Sequence, residues 1–223
     1  MQRQRLNRIG HLALPIVGGM VSQVVLNLVD TAMVGVLGKE ALAGVGTASF
    51  ATFMATALVM GLSSGVQTMA ARRVGEGRGD EAAVPLNGGL LLALVIGLPM
   101  SIVLLAYSST LFPLINADQG VVDAGLPYFD ARLLGVVAVG MNFAFRGYWT
   151  GVSQSRRYLH TLLVIHVANI AISYVLIFGK FGFPEMGTEG SGLGTTISLY
   201  LGTLVYFALG WKEARKNGFL SRI

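Results

Sequence analysis

Gln23, Asn27 and Asp30 fall at i, i+4 and i+7 along an otherwise apolar run, so on a helix all three point the same way. Amides and a carboxylate aligned within a lipid-spanning helix face the bundle interior or a water-filled cavity. An unpaired carboxylate in that setting is costly as an anion and easily protonated, which is the property a proton or cation relay needs. Asp30 is the only acidic residue well inside five of the six helices predicted below. It lies about seven residues from the outer end of the first, or roughly 10 Å at the α-helical rise. The competing reading has a named partner. Arg132 is expected at similar depth on the fourth helix, and a permanent Asp30–Arg132 ion pair would make both residues merely structural.

The same periodicity gives polar stripes elsewhere. Ser49, Thr52, Thr56, Ser63 and Gln67 share a face of the second predicted helix; Tyr128, Arg132, Asn142 and Arg146 share one on the fourth. His166, Asn169 and Ser173 align on the fifth, and Thr195, Ser198, Gly202 and Tyr206 on the sixth. The third has no stripe after Asn87 and is expected to face lipid. Stripes on five helices point to a central polar cavity, with Gln23 and Asn27 the firmest members. For isolated Ser and Thr residues the plainer role is interhelical hydrogen bonding, worth about 0.6 kcal/mol on average.

The elements that must hold these residues are long apolar helices. Hydrophobic residues make up 53% of the chain and charged ones only 12%, at a mean hydropathy of +0.66. Soluble domains carry roughly 25% charged residues, so lipid must solvate most of this sequence. Runs long enough to span a bilayer, about 20 residues each, are read at 12–37, 43–70, 83–107, 127–150, 159–179 and 191–211. The reading is all-α, integral to the membrane, with six transmembrane helices forming a single domain over 1–223. The first run is too long for a signal peptide, and no small-residue cleavage site follows it. With no Cys, disulfides and thiolate metal sites are excluded.

The net charge of +5 could suggest a nucleic-acid surface. Placement argues for topology instead. Arg3, Arg5, Arg8, Arg72, Arg73, Arg78, Arg156, Arg157, Lys212, Arg215, Lys216 and Arg222 fall on one side of the predicted spans. Only Lys39 and Lys180 fall on the other, and the positive-inside rule then puts both termini in the cytoplasm of a plasma (inner) membrane protein. Residues 72–81 read as a Gly-rich, charged cytoplasmic loop, 108–126 as an outer loop with a short interfacial helix, and 180–190 as a second outer loop. Trp149, Trp211 and Tyr206 sit where interfacial aromatic belts are expected.

Other chemistry is poorly supported. Gly75, Gly77 and Gly79 are not followed by Lys-Ser/Thr or preceded by a strand, as a phosphate loop requires. His160 and His166, six apart, lie on different helix faces and have no acidic neighbour at ligand spacing. Hydrolase, metalloprotease and nucleotide-binding motifs are absent, which argues against an enzyme or an ATP-driven pump.

The run Asn27-Leu28-Val29-Asp30-Thr31-Ala32-Met33-Val34-Gly35, with Leu37-Gly38 and Ala41-Leu42-Ala43 after it, resembles the helix 1–2 signature of the multidrug and toxic compound extrusion (MATE) family. Ala71-Arg72-Arg73-Val74-Gly75 resembles that family's helix 2–3 loop. Arg146-Gly147 with Gly151, Asn169-Ile170 with Ile177-Phe178-Gly179, and Gly190 with Thr195-Thr196 follow the pattern of helices 4 to 6. The resemblance runs through nearly the whole chain in order. It implies one lobe of a two-lobe, twelve-helix fold that alternates between inward- and outward-open states. It also implies export of organic, often cationic, compounds against a proton or sodium gradient, with no cofactor. Asp30 matches the family's cation-coupling aspartate, and Gln23, Asn27, Tyr128, Asn169 and Thr195 match its N-lobe cavity. A second acidic residue found in some members is replaced here by Ser173.

Members of that family have about twelve helices, and this sequence supplies six. A following lobe would share its orientation, as a parallel repeat. A lobe standing alone would turn its polar cleft to lipid, so a second copy or a separate C-terminal lobe is the expected partner. The alternative is a non-transporting remnant or a structural subunit, in which the stripes are packing contacts. A membrane-embedded enzyme is the third reading. One acid among several amides suits cationic amphiphiles.

Overall fold

A chain in lipid must satisfy its backbone N–H and C=O groups within each segment, and this sequence does so with helices throughout. The computed structural model describes residues 2–221, with side chains from residue 13 onward. The side chains of Arg3, Arg5 and Arg8, and all of Arg222, lie outside the described residues. Eight α-helices follow in order: α1 (Gln2–Gly35), α2 (Lys39–Met60), α3 (Leu62–Gly75), α4 (Val84–Ile115), α5 (Gln119–Leu133), α6 (Val136–Gly151), α7 (Ser155–Phe178) and α8 (Gly187–Leu209). Five stretches are long and apolar enough to cross a membrane, with α2 and α3 together forming one of them. A sixth is made by α5 and α6, bent by 53° at their junction.

The bend revises the sequence reading of one continuous helix over 127–150. Leu134 and Gly135 interrupt the ladder, and neighbouring hydroxyls take up the carbonyls it frees. Ser101 of α4 donates to the Leu133 carbonyl at 2.7 Å, and Thr196 of α8 to that of Ala131 at 2.8 Å. Tyr200 donates to the Leu134 carbonyl at 2.9 Å. A side chain on Gly135 would press on Thr196 Oγ1 at 3.0 Å. Neighbouring hydroxyls thus make a broken helix tolerable at membrane depth.

The expected outer loop over 108–126 is largely helical. α4 continues to Ile115, and α5 begins at Gln119 because Asp118 caps it, accepting from the Val121 amide at 3.2 Å. Two further boundaries shift. α3 carries Arg72 and Arg73 in its last turn rather than in a loop, and α8 starts at Gly187.

Glycine-bearing faces let the helices approach closely. Gly190, Gly194, Ser198 and Gly202 recur every fourth residue along α8. A Cβ on Gly190 would stand 2.6 Å from the Leu176 backbone, and one on Gly194 would strike Ser173 of α7. α1, by contrast, is peripheral and docks mainly on α7, with only 17% of its spanning window buried. Exposed apolar residues such as Leu28 on α1 and Ile102 on α4 are the lipid-facing kind.

Two apolar clusters fill the interior. One joins Leu86, Phe145, Tyr148, Trp149, Tyr206 and Phe219; the other joins Val59, Phe112, Phe129, Leu133 and Val136. Trp149 and Tyr206, expected at an interface, are each 1% exposed, and Tyr206 stacks on Phe145 at 5.1 Å. Trp211 is exposed and lies under the Arg215 guanidinium at 4.3 Å.

The basic loops gather at one end of the bundle. There Arg157 pairs with Glu213 at 2.7 Å, and the Ala83 amide donates to the Asn217 carbonyl. Arg72 and Arg78 each meet Glu76 at 2.7 Å. The hydrogen bond from Arg72 holds the Glu76 carboxyl below its ordinary range.

Candidate functional site: a polar cavity in the lobe

A cavity of about 530 Å³ opens between α1, α2, α5, α6, α7 and α8. Of the residues expected at the site, Gln23, Asn27, Asp30, Tyr128, Arg132, Asn169 and Thr195 all line it. Ser173 does not: it is 0% exposed, packed against Gly194 in the α7–α8 seam one turn beyond Asn169. Its position on the stripe is right, but helix crossing covers it.

A chain of hydrogen bonds ties α1 to α7. Ser22 Oγ lies 2.6 Å from His166 Nδ1, and His166 Nε2 lies 3.2 Å from Gln23 Oε1. The Gln23 amide then donates to Asn27 Oδ1 at 3.0 Å. A neutral imidazole meets these partners, with Nε2–H donating to an oxygen that can only accept. Gln23 and Asn27 are thus oriented by a buried histidine.

Asn169 donates to Thr195 Oγ1 at 2.8 Å, and Thr195 donates in turn to the Ser191 carbonyl at 3.1 Å. Ser49 donates to the Tyr128 hydroxyl at 3.3 Å, joining α2 to α5. Thr52 and Thr56 line the wall too, but their hydroxyls bond back to their own helix at 2.8 Å. Asn142 bridges α6 to α8, donating to the Leu199 carbonyl at 2.9 Å and accepting from Thr203 at 3.3 Å. Part of the polar set is therefore interhelical bonding, as the plainer reading expects.

Asp30 and Arg132 face the cavity together without an ion pair within 4.0 Å among the described residues. Oδ1 of Asp30 and Nε and Nη1 of Arg132 are buried and make no hydrogen bond. Both ends of a potential pair are thus held ready and apart, each desolvated, which is a costly arrangement unless another group engages them. Asp30 is the sole carboxylate among the residues lining the cavity, and no cluster of three metal-ligating side chains occurs among the described residues.

Some of the lining was missed in the sequence. Tyr158, which belongs to none of the polar stripes, reaches the wall beneath Arg146, with Phe143, Met60, Phe53 and Leu199 supplying apolar surface. Apolar residues carry no stripe against an apolar helix, so only the packing shows them.

A bundle of apolar helices of spanning length around a polar, partly apolar cavity, with Asp30 the one carboxylate on its wall, is the architecture of a polytopic membrane transporter. The MatE family model matches residues 15–175, and the chain belongs to this family of multidrug-efflux transporters. It is 31% identical over 210 residues to a probable multidrug resistance protein NorM of a Synechococcus strain, covering 92% of this chain and 45% of that protein. It is 28% identical to the multidrug resistance protein NorM of Photobacterium profundum, covering 97% and 48%. A MATE transporter of the MOP superfamily in an outward-facing conformation superposes with a TM-score of 0.84 at 26% identity, over 97% of this chain and 47% of that one. A MOP superfamily transporter from Pyrococcus furiosus, described as having a binding pocket of reverse polarity, superposes at 0.83 with 27% identity over 94% and 45%. The chain spans about half the length of the relatives it matches, and its fold is that of one lobe.

Proposed function

We propose that this chain is the N-terminal lobe of a cation-coupled exporter of organic compounds, in which Asp30 binds the coupling proton or sodium ion. The observation that carries the reading is the buried, unbonded Asp30 oxygen on the wall of a polar cavity. A carboxylate in a low-dielectric site changes charge only when it exchanges a cation, so cation binding there can bias a bundle between two packings. Gln23, Asn27, Tyr128, Asn169 and Thr195 contact the cargo, with Arg132 beside Asp30. The NorM relatives are named for multidrug resistance, and that naming favours organic cargo. Alternating access requires a second lobe across the cavity, either a second copy or a separate C-terminal lobe. The clustering of basic residues at one bundle end favours cytoplasmic termini in the inner membrane.

Efflux of a fluorescent organic compound from cells producing this chain, with Asp30→Asn at matched levels, tests the reading. Gradient-dependent efflux that disappears in the variant is the expected result, whether the second lobe is another copy or is co-produced. Equal efflux by both forms at every pH and sodium concentration would end the coupling role.

A further inference from the structure

The charges on the cavity wall do not balance. Arg132 and Arg146 both line it, against the single carboxylate of Asp30. His166, the other ionisable nitrogen group there, has both ring nitrogens taken up by Ser22 and Gln23. Arg132 has Asp30 acting on it across the cavity. Arg146 has no such counterpart. It sits on α6, beyond the bend, with its guanidinium 5.0 Å from the Tyr158 ring centroid and 5.5 Å from that of Phe143. Among the described residues it forms no ion pair within 4.0 Å.

A guanidinium stays charged at any physiological pH and offers five donors in a rigid plane. Contact with aromatic rings compensates the charge in part but satisfies none of the N–H groups. The rings fix where the group lies, and its planar fork of N–H groups fits a planar acceptor such as a carboxylate. We infer that Arg146 is the receptor for an anionic group of the cargo, with the Tyr158 and Phe143 rings holding it in place and contacting the cargo's aromatic body. The inference rests on this cavity being the cargo chamber, and it shifts the expected ligand. An acid-bearing aromatic compound fits the wall better than a purely cationic one.

Tetramethylrhodamine and its methyl ester test this, because they share a dye body and a positive charge and differ in one carboxylate. Fluorescence anisotropy gives the affinity of each for the purified chain in detergent micelles. The free acid is expected to bind at least about tenfold tighter than the ester, the scale of a charge-assisted hydrogen bond. Arg146→Lys retains part of that ratio and Arg146→Met brings it to about one. Equal binding of acid and ester by the unaltered chain overturns the inference, whether or not either variant folds, and so does a ratio that survives Arg146→Met. Binding is read without a gradient, so it separates from the coupling role. A chain that prefers the acid but fails to export removes only the exporter reading. An Asp30-dependent exporter with no preference for the acid removes only this one.

Discussion

Replacing Gly44 by Ala tests whether the α2–α5 crossing is as close as the cavity requires. A Cβ on Gly44 would stand 2.7 Å from the Gly125 amide nitrogen and 2.7 Å from the Val121 carbonyl oxygen, where ordinary contacts begin at 3.4 Å. Both obstructing atoms are backbone, so no side chain can swing aside. The helices must part by about 0.7 Å, the difference between those two distances. Overpacking of this kind costs about 1–3 kcal/mol, offset by the better helix propensity of Ala, about 1 kcal/mol. A net loss of up to about 2 kcal/mol corresponds to a fall of up to roughly 8 °C in Tm for a chain of this size. The control lies on the same helix: a Cβ on Gly46 meets nothing within 4 Å, so Gly46→Ala is expected to hold or raise the Tm.

Thermal unfolding in detergent can be followed by tryptophan fluorescence, to which Trp149, 1% exposed, gives the change on unfolding over the signal of the already exposed Trp211. Gly125→Ala meets the Gly44 carbonyl oxygen and the Phe112 ring, each at 2.7 Å. Once one alanine has separated the helices the second costs less, so the double variant should be less destabilised than the two losses added. Separation also stretches the 3.3 Å Ser49–Tyr128 hydrogen bond that closes this side of the cavity. A Gly44→Ala chain that melts at or above the parent, indistinguishable from Gly46→Ala, would refute the crossing.

Two further substitutions address the basic end. Asn87 is 5% exposed, donates to the Gly218 carbonyl at 2.8 Å and accepts from the Leu220 amide at 3.0 Å. Asn87→Ala is expected to cost about 1–3 kcal/mol and to speed tryptic cleavage near Arg215 and Lys216 in a timed digest. The Glu76 carboxyl, held low by Arg72, contributes stability above the ordinary carboxylate range that fades as the pH falls through its lowered value. A fully exposed group is well screened, so the effect should be small, absent in Glu76→Gln, and removed by high salt in Tm measured against pH.

Helix existence was legible in the sequence because apolar runs of spanning length leave the backbone no other option in lipid. Where the helices break was not. The bend at Leu134–Gly135 depends on hydroxyls from Ser101, Thr196 and Tyr200, which lie far away in sequence, and nothing within 127–150 announces them. The continuation of α4 to Ile115 was hidden for a different reason. Pro113 lies inside α4, in its last turn, and the helix runs on to Ile115 past it.

Helical periodicity says which way a polar residue points but not what covers it. Asn169 and Ser173 share a face of α7, yet only Asn169 reaches the cavity, because Gly194 lets α8 close over Ser173. Arg146 is the converse case. It stood on the α6 stripe in the sequence, but its meaning depends on Tyr158 beneath it and on the lack of a carboxylate beside it. Both are properties of packing between helices. A stripe is a necessary sign of a cavity, then, and the small-residue seams decide which part of each stripe is used. That is why Gly44, Gly125 and Gly194, which carry no functional group, shape this site as firmly as the residues that do.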